Sequence, residues 1–385
     1  MKEKVVYVPV YNNEKTVERV LRRIEASGYL DLVTIIDDGS TDSTPAILRK
    51  WHEEKGLDFE RVGKNMKKIG AIRKVLFERN KSGKLPEKII LHDGDSFLMV
   101  EKPNNTSISY AFERAANFID NVDWSGAGFK VVPFIDSSSN LLEKIQFWEY
   151  IWSRRIHLFL GKRNQMHCIP GAGGIFKTDS LLKALELHSG RHEGDDMETT
   201  VLLQKLGYKV GYYSPYTISS LGFNPNSYPE IVSYTFVPNS PRELLKQRAR
   251  WTEGQIKTYL QYGSFYFEQI KNKKGLGFQA LFEMVKLATY HFWIQYIITH
   301  PEIGIPASII VTSLSNGVLL LTNPEYKEEF DKKGEMLKFT LLTSVPFSVY
   351  SFTLDILRIP PAYITGVKNY FEIRKTRKKE FNIRD

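Results

Sequence analysis

Short apolar runs alternate with amphipathic helical segments near the start of the sequence, and this order limits the folds open to the chain more than any other feature. Val5–Val8 and Leu32–Asp37 are rich in β-branched residues and end at turn-forming residues. Glu14–Ser27 lies between them and has the apolar spacing of a helix. The order strand, helix, strand predicts a βαβ unit with parallel strands.

The alternation continues through the first half of the chain. Further strands are predicted at Ile89–His92 and Ala127–Val132, and helices at Thr44–Lys55, Ile69–Lys81 and Ser107–Phe118. We therefore predict an α/β fold with a mainly parallel sheet and helices on both faces. Ligands of such sheets bind beyond the carboxyl ends of the strands.

Three polar motifs follow predicted strands. They are Tyr11-Asn12-Asn13-Glu14, Asp37-Asp38-Gly39-Ser40 and Asp93-Gly94-Asp95-Ser96. Because the carboxyl ends of parallel strands lie at one edge of a sheet, we expect the three motifs to share one cleft.

The third motif has the form of a metal site. Asp93 and Asp95 are two residues apart, so their side chains point the same way in an extended chain, and Gly94 lets a ligand approach the backbone. Two carboxylates suit a hard divalent cation such as Mg²⁺ or Mn²⁺, which takes further ligands from substrate phosphates. Such a metal would offset the charge on a departing diphosphate. A turn or a solvated loop is the structural alternative.

The second motif has two interpretations. Asp38 would contact the base or ribose of a nucleotide in the functional one. In the structural one, the motif is an Asp-Gly turn followed by a helix capped at Ser43 or Thr44.

Charge and cysteine content narrow the function classes. The chain has 385 residues, which is enough for a catalytic domain and an appended module. Its net charge of +9 suits nucleic acid, an anionic membrane or a phosphorylated substrate.

Cys168 is the only cysteine, so an intrachain disulfide and a thiolate zinc cluster are excluded, and a reducing compartment is favoured. The N-terminal residues lack an apolar core, and we expect no signal peptide.

Apolar and aromatic residues become dense from about Phe278 onwards. Three interrupted stretches approach the length of a transmembrane helix: Leu281–Thr299, Ile303–Thr322 and Leu337–Leu357. We predict a C-terminal helical membrane region with one crossing pair, in which the third stretch is re-entrant or interfacial. A bundle of three or four spans and a buried helical soluble domain are the alternatives.

The polar loop Asn323–Met336 and the basic tail Lys368–Lys379 are expected on the cytoplasmic side. We therefore expect a multi-pass protein of the cell membrane with a cytoplasmic catalytic domain. Its partners would include the lipid bilayer and membrane subunits. Leu141–Leu160 has the aromatic, basic character of a helix lying on a membrane, and a buried amphipathic helix is the alternative.

The strand-end motifs also resemble a known family. Val8-Pro9-Val10-Tyr11-Asn12, Asp37-Asp38-Gly39-Ser40-Thr41-Asp42 and His92-Asp93-Gly94-Asp95 are similar, in order and spacing, to the donor-binding half of family 2 glycosyltransferases. The resemblance implies the Rossmann-like GT-A fold, a nucleotide-sugar donor and an enzyme of the hexosyltransferase type.

Two later motifs resemble the polysaccharide-synthase branch, which includes hyaluronan, chitin, cellulose and poly-N-acetylglucosamine synthases. Gly194-Asp195-Asp196 with Glu198-Thr199-Thr200 is similar to the acidic acceptor motif of that branch, and Gln247-Arg248-Ala249-Arg250-Trp251 matches its QxxRW signature. Ile359-Pro360-Pro361-Ala362-Tyr363 resembles its late Pro-x-Tyr interfacial region.

The resemblance implies a role for individual residues. The catalytic base would be Asp196, and the metal ligands would be Asp93 and Asp95. The donor-binding residues would be Pro9, Tyr11, Asn12, Glu14, Asp38, Lys68, Asp93, Asp95, Gln247, Arg250 and Trp251. The acceptor-binding residues would be Gly173, Asp195 and Trp251.

Physical chemistry supports a carboxylate base, because a sugar hydroxyl must lose its proton as the new bond forms. Asp195 beside Asp196 would raise the basicity of Asp196 by like-charge repulsion. A single displacement with one base inverts the anomeric configuration. The structural alternative is an acidic N-terminus for the helix Met197–Leu206.

The remaining candidates also have structural alternatives. Arg250 would neutralise a diphosphate and Trp251 would stack on a sugar, although both residues are also common at membrane surfaces. The small residues of Gly171-Ala172-Gly173-Gly174 leave room for a sugar, and a flexible turn is the alternative. The lysines around Lys68 would reach donor phosphates or belong to a solvated surface.

We therefore expect a metal-dependent inverting glycosyltransferase that uses a nucleotide diphosphate sugar, of the UDP type, to extend a polysaccharide. Single transfer to a lipid-linked or glycan acceptor is the first alternative, and a catalytically silent nucleotide-sugar-binding scaffold is the second. Nucleic acid is not an expected partner, because acidic clefts repel its backbone. The segments would be a catalytic domain (1–222), QxxRW helices (223–275), membrane and interfacial helices (276–371) and a basic tail (372–385).

Overall fold

The computed structural model describes residues 4–102, 106–190, 194–285, 299–300 and 302–303. These residues belong to two compact units. The first unit contains Met1–Phe134, Ile156–Arg191 and Asp195–Phe236. The second contains Ile135–Arg155, His192–Gly194 and Val237–Asp385. The segment boundaries expected from the sequence remain a prediction.

Strands and helices alternate along most of the described chain. The strands are β1 (Val6–Val10), β2 (Val33–Asp37), β3 (Asp58–Arg61), β4 (Lys88–Leu91), β5 (Ser96–Lys102), β6 (Gly126–Gly128), β7 (Lys130–Pro133), β8 (Gly174–Lys177), β9 (Val210–Tyr212) and β10 (Glu230–Thr235). The helices are α1 (Val17–Ala26), α2 (Thr44–Lys55), α3 (Lys67–Lys81), α4 (Ile108–Asn121), α5 (Leu141–Gly161), α6 (Thr178–Leu187), α7 (Asp195–Lys205), α8 (Pro215–Ser220), α9 (Pro241–Gln261) and α10 (Gly263–Lys271).

A seven-stranded sheet with the order β3-β2-β1-β4-β8-β6-β9 forms the centre of the first unit. Neighbouring strands are parallel except at β8, which runs antiparallel to β4 and β6. The α/β prediction is confirmed, and the sheet is mixed. The chain moves outward from β1 to β3 and returns to β4 on the other side of β1. Right-handed crossovers therefore place α3 on the opposite face from α1 and α2.

The strand predicted at Ala127–Val132 is two strands in two different sheets. β6 joins the large sheet, whereas β7 joins a three-stranded sheet with the order β5-β10-β7. Phe129 separates them, because its N–H donates to the Gly173 carbonyl and its side chain is buried. An apolar run keeps the same composition when its backbone changes partner, so the sequence pattern does not reveal such a break.

The predicted C-terminal helical membrane region, and with it the multi-pass membrane location, is wrong for the described residues. None of the helices in 4–102, 106–190 and 194–285 is both long and apolar enough to cross a bilayer. Glu283 interrupts the apolar residues at the start of the first predicted stretch, and its carboxylate accepts a hydrogen bond from Gln279. The stretches 304–322 and 337–357 and the basic tail lie outside the described residues.

The second unit contains α9 and α10, and residues 275–285 are also helical. α9 begins after Ser240, whose hydroxyl accepts a hydrogen bond from the Glu243 N–H at 3.4 Å. Asn140 and Glu143 cap the start of α5 reciprocally, since each side chain accepts a bond from the other residue's N–H, at 3.0 and 2.7 Å. Local sequence therefore fixes where both helices begin.

Trp124 fills the core beside β9 of the first unit. Its ring is buried and packs edge-on against Phe118, with centroids 5.5 Å apart. Gly211 of β9 faces this ring so closely that a Cβ atom would lie 2.2 Å from it. The core therefore tolerates only glycine at this position without rearrangement.

We expect the substitution Gly211→Ala to lower the free energy of unfolding by about 1–3 kcal/mol, because the buried ring must move to admit a methyl group. Urea denaturation would measure the change. Gly63→Ala is the matched control, since a Cβ atom there meets nothing within 4 Å. Replacing glycine with alanine lowers the conformational entropy of the unfolded chain in both variants, so this effect cancels when their stabilities are compared. Equal stabilities of the two variants would contradict the packing explanation.

Candidate active site

The carboxyl ends of β1, β2 and β4 meet at one edge of the large sheet. Val10 pairs with Asp37 at the ends of β1 and β2, and Gly94 after β4 packs against the end of β1, since a Cβ atom on it would lie 2.8 Å from the Pro9 carbonyl oxygen. The three polar motifs identified in the sequence follow these strand ends, so the fold brings them together. The chain reverses its direction across the sheet between β1 and β4, which is where open α/β sheets bind ligands.

The loops after β1 and β2 hold each other through side chains. The Asn12 backbone N–H donates to the Ser40 hydroxyl at 2.9 Å, and the side-chain Oδ1 of Asn12 accepts from the Thr41 N–H at 2.8 Å. The Glu14 carboxylate accepts from the Ser43 N–H at 3.1 Å. Asn12 and Glu14 therefore fix the shape of this edge, which is a role that their sequence pattern did not indicate.

Pro9 and Tyr11 differ in accessibility. Pro9 is buried within β1, whereas the Tyr11 side chain is 43% exposed just beyond the end of the strand. An exposed aromatic ring at this edge offers a flat face on which a planar ligand can stack.

Asp38 connects the end of β2 to the start of α3. Its carboxylate accepts a hydrogen bond from the Met66 N–H at 2.7 Å. Burial raises the pKa of Asp38, and this backbone bond opposes the rise. Because Met66 immediately precedes α3, the bond also fixes the position from which Lys68 extends.

Lys68 bridges two carboxylates from distant parts of the sequence. Its ammonium nitrogen lies 2.7 Å from Asp93 Oδ1 and 2.7 Å from Asp196 Oδ1. Asp93 follows β4, Asp196 is the second residue of α7, and Lys68 is the second residue of α3. The fold therefore brings the candidate metal ligand and the candidate base to the same ammonium group.

Lys68 and Asp196 shift each other's pKa, and the charge of Asp93 acts on both. Burial alone would lower the pKa of Lys68, but Asp196 and Asp93 outweigh it and raise that pKa well above its ordinary value. Burial raises the pKa of Asp196, while the Lys68 charge acts in the opposite direction. Lys68 therefore stays protonated and helps to keep Asp196 available as a carboxylate.

Asp95 completes the acidic side of the site. Burial and the charge of Asp93 raise the pKa of Asp95 to about 6, and the Ser96 hydroxyl lies 3.2 Å from its Oδ1. In the described part of the chain, no group of three or more His, Cys, Asp or Glu side chains could hold a metal. Two carboxylates nevertheless fit Mg²⁺ or Mn²⁺, because such ions take their other ligands from water and phosphate oxygens. A nearby cation would also lower the raised pKa of Asp95.

The loop before β8 packs directly against the base candidate. A Cβ atom on Gly171 would lie 2.2 Å from Asp196 Oδ2 and 2.5 Å from the Lys68 nitrogen. Gly173 is buried, and its carbonyl accepts the Phe129 N–H at 3.0 Å. The absence of a side chain at Gly171 therefore allows this loop to approach the carboxylate.

Buried polar groups hold the start of α7. The Glu198 carboxylate is buried and accepts bonds from the Ser189 N–H at 3.1 Å and the Ser189 hydroxyl at 2.7 Å. Nε2 of His188 lies 3.1 Å from the carbonyl oxygen of Asp195. Glu198 and His188 therefore help to set the position from which Asp196 projects. The sequence placed Glu198 in the acidic motif without a role of its own and did not indicate His188.

A small cavity of about 20 Å³ lies behind these groups. Its walls include Pro9, Lys68, His92, Gly171 and Asp196. Nε2 of His92 is buried and has no hydrogen-bond partner among the described residues, and burial lowers the pKa of His92 to about 4. The volume accommodates about one water molecule, so the cavity is too small for a larger ligand.

The QxxRW segment lies on α9 in the second unit, where the buried arginine is Arg248. Its guanidinium donates to both carboxylate oxygens of Glu149, at 2.9 and 2.8 Å, and lies 4.2 Å from the centre of the Trp251 ring. Gln247 accepts another bond from Arg248. Arg250 is exposed, and Trp251 is 41% exposed.

Arg248 was not among the candidates taken from the sequence. A signal for it exists, because Leu244, Arg248, Thr252 and Ile256 recur every four residues and are all buried. Arg248 thus lies on the apolar face of α9, where a charged side chain needs a partner. Because its guanidinium contacts the Trp251 ring, Arg248 helps to hold that ring in place.

Family models match most of the chain. The model described as "Glycosyl transferase family 2" matches residues 5–103. The model described as "Glycosyl transferase family group 2" matches residues 89–347, which is more than half of the sequence.

Similar curated proteins are glycosyltransferases by name. "Uncharacterized glycosyltransferase YaiP" of Escherichia coli (strain K12) is 25% identical over 251 residues, which cover 64% of this chain and 55% of that protein. "Poly-beta-1,6-N-acetyl-D-glucosamine synthase" of Staphylococcus epidermidis is 23% identical over 298 residues, which cover 75% and 62%. The chain therefore spans less than two thirds of the length of these relatives.

Solved structures with partial similarity include S. aureus TarS 1-349 in complex with UDP-GlcNAc. It is 14% identical, with a TM-score of 0.44 over 95% of this chain and 92% of that one. Glucosyl-3-phosphoglycerate synthase from Mycobacterium tuberculosis, with Mn²⁺, UDP and glucosyl-3-phosphoglycerate, is 14% identical, with a TM-score of 0.38 over 68% and 79%.

We expect the substitution Glu149→Ala to lower the free energy of unfolding by about 3 kcal/mol, because it leaves the buried Arg248 guanidinium without its carboxylate partner. Denaturation followed by tryptophan fluorescence would measure the loss. Arg242→Ala, at an exposed position of α9, the helix that contains Arg248, should change stability by less than about 0.5 kcal/mol. A Glu149→Ala variant as stable as this control would show that the ion pair contributes little.

Proposed function

The chain belongs to glycosyltransferase family 2, and we propose that it transfers a sugar from a nucleotide diphosphate donor to a hydroxyl group of a growing polysaccharide. The donor is of the UDP-sugar type, and the reaction inverts the anomeric configuration. The observation that carries this proposal is the contact of the Lys68 ammonium with both Asp93 and Asp196. This contact supports a site in which the donor-binding carboxylate Asp93 and the acceptor-side base Asp196 lie next to the same ammonium group.

The donor occupies the edge formed by the ends of β1, β2 and β4. Asp38 and the exposed ring of Tyr11 bind the nucleoside part. Lys68 faces the diphosphate, whose negative charge its ammonium group attracts. Asp93 and Asp95 would hold Mg²⁺ or Mn²⁺, and the ion would supply positive charge to the departing nucleoside diphosphate.

Asp196 accepts the proton of the acceptor hydroxyl. The hydroxyl oxygen attacks the anomeric carbon, the bond from that carbon to the diphosphate oxygen breaks, and the proton moves to the Asp196 carboxylate. One displacement by one nucleophile gives inversion. The Lys68 charge favours the ionised form of Asp196, which is the form that accepts a proton.

The acceptor approaches along the loop that contains Gly171 and Gly173. A Cβ atom on Gly171 would collide with Asp196, so this loop lies directly against the base. The roles that the sequence assigns to Gln247, Arg250 and Trp251 remain proposals, and within its own unit the Trp251 ring is 41% exposed and contacts the Arg248 guanidinium. The name of the Staphylococcus epidermidis relative makes a UDP-linked N-acetylglucosamine the first donor to test.

We expect Asp196→Asn to lower sugar transfer by about 100- to 10,000-fold, because the amide cannot accept the hydroxyl proton. Transfer would be followed with labelled UDP-sugars and sizing of the glycan product, and donor affinity by calorimetry. Donor affinity should change little. Asp179→Asn, an exposed carboxylate on α6, is the control that should keep full activity. Retained transfer by the Asp196 variant would refute its role as the base.

We expect donor binding to depend on a divalent metal through Asp95. Calorimetric titration of the UDP-sugar should show strong binding with Mg²⁺ or Mn²⁺ and weak binding with EDTA. Asp95→Asn should bind the donor weakly under both conditions, because it removes one of the two carboxylate ligands. Equal donor affinity of the unaltered protein with metal and with EDTA would disprove this dependence.

A further inference from the structure

We propose that Thr200 is a positioning residue that fixes the acceptor-side loop, residues 169–173, relative to Asp196. The inference rests on the proposed role of Asp196 as the base. Thr200 lies one helical turn after Asp196 in α7, and its side chain is completely buried. A hydroxyl in this position has no access to solvent, so its function depends on the two groups that it contacts.

The Thr200 hydroxyl makes two hydrogen bonds of complementary direction. It donates to the carbonyl oxygen of Asp196 at 2.7 Å and accepts from the Ile169 N–H at 2.8 Å. One oxygen atom therefore joins the residue proposed as the base to the first residue of the acceptor-side loop. A valine side chain of nearly the same shape makes neither bond.

The loop that begins at Ile169 reaches the Asp196 carboxylate two residues later. The Gly171 backbone forms a hydrogen bond with this carboxylate, and no side chain separates the two. At its far end the loop is held by Ser233, whose hydroxyl donates to the Ala172 carbonyl at 2.5 Å. Thr200 is thus the anchor on the Asp196 side of the loop, and Ser233 is the anchor on the opposite side.

The spacing between loop and carboxylate matters for proton transfer. An acceptor lying on the loop must present its hydroxyl within hydrogen-bond reach of Asp196. A displacement of about 1 Å in such an arrangement can lower the rate by about 100-fold. Asp38 and Asp93 are held by other groups, the Met66 N–H and the Lys68 ammonium, so donor binding does not rely on Thr200.

The test compares Thr200→Val with Thr200→Ser. We expect the valine variant to lower kcat by about 10- to 100-fold while the KM for the UDP-sugar changes by less than about twofold. The serine variant keeps the hydroxyl and should retain kcat within about threefold. Rescue by serine together with an unchanged donor KM separates positioning from a general loss of structure.

Thr258→Val is the matched control, because Thr258 is also a fully buried helical threonine whose hydroxyl donates to the carbonyl four residues earlier, at 2.9 Å. This control should keep its kcat. If Thr200→Val does not fold, Thr200→Cys carries the test, since a thiol keeps the volume but bonds weakly. Its kcat should also fall by at least about 10-fold.

The outcomes separate this inference from the proposed function. Full activity of Thr200→Val, with Asp196→Asn inactive, would overturn the role of Thr200 and leave Asp196 as the base. An equal loss of kcat in Thr200→Val and Thr200→Ser would also overturn it, because the hydroxyl would then not be the decisive group. Retained transfer by Asp196→Asn would instead refute the role of Asp196 as the base, and failure of the unaltered protein to transfer sugar from any UDP-sugar would refute the proposed function.

Discussion

Several carboxylates at one edge of a sheet repel one another unless a cation lies among them. In this protein Asp93, Asp95 and Asp196 come from two distant stretches of sequence, and Lys68 contacts two of them at 2.7 Å. The positions of α3 and α7 depend on this contact, because the lysine extends from the start of one helix and Asp196 from the start of the other. The same ammonium group would face the diphosphate of a donor, so it stabilises the fold and serves the chemistry that we propose.

Much of the first unit follows from local sequence. The bounds of α2 match the predicted Thr44–Lys55, and the ends of β1, β2 and β4 lie where the polar motifs begin. This agreement is expected, because β-branched runs and amphipathic spacing are local signals. The glycosyltransferase family was predicted from the order and spacing of the motifs, and it is confirmed by the family model that matches residues 89–347.

The parts that could not be predicted depend on partners that are remote in sequence. The reversed direction of β8, the division at Phe129 and the burial of Arg248 against Glu149 arise from contacts between distant segments. The membrane prediction was wrong for the described residues, because apolar density was given more weight than interruptions such as Glu283. In the site, Thr200 and Glu198 lay inside a recognised motif, yet their roles became clear only from the groups that they bond.

The interlocked loops after β1 and β2 have a thermodynamic consequence for donor recognition. Asn12 and Glu14 already hold the backbone of the facing loop through hydrogen bonds of 2.8 and 3.1 Å. A ligand that binds this edge therefore immobilises few additional backbone torsions, and the entropic penalty of association is correspondingly small. Such preorganisation leaves more of the intrinsic contact energy to appear as affinity and gives a nucleotide a rigid template against which incorrect ligands fit poorly.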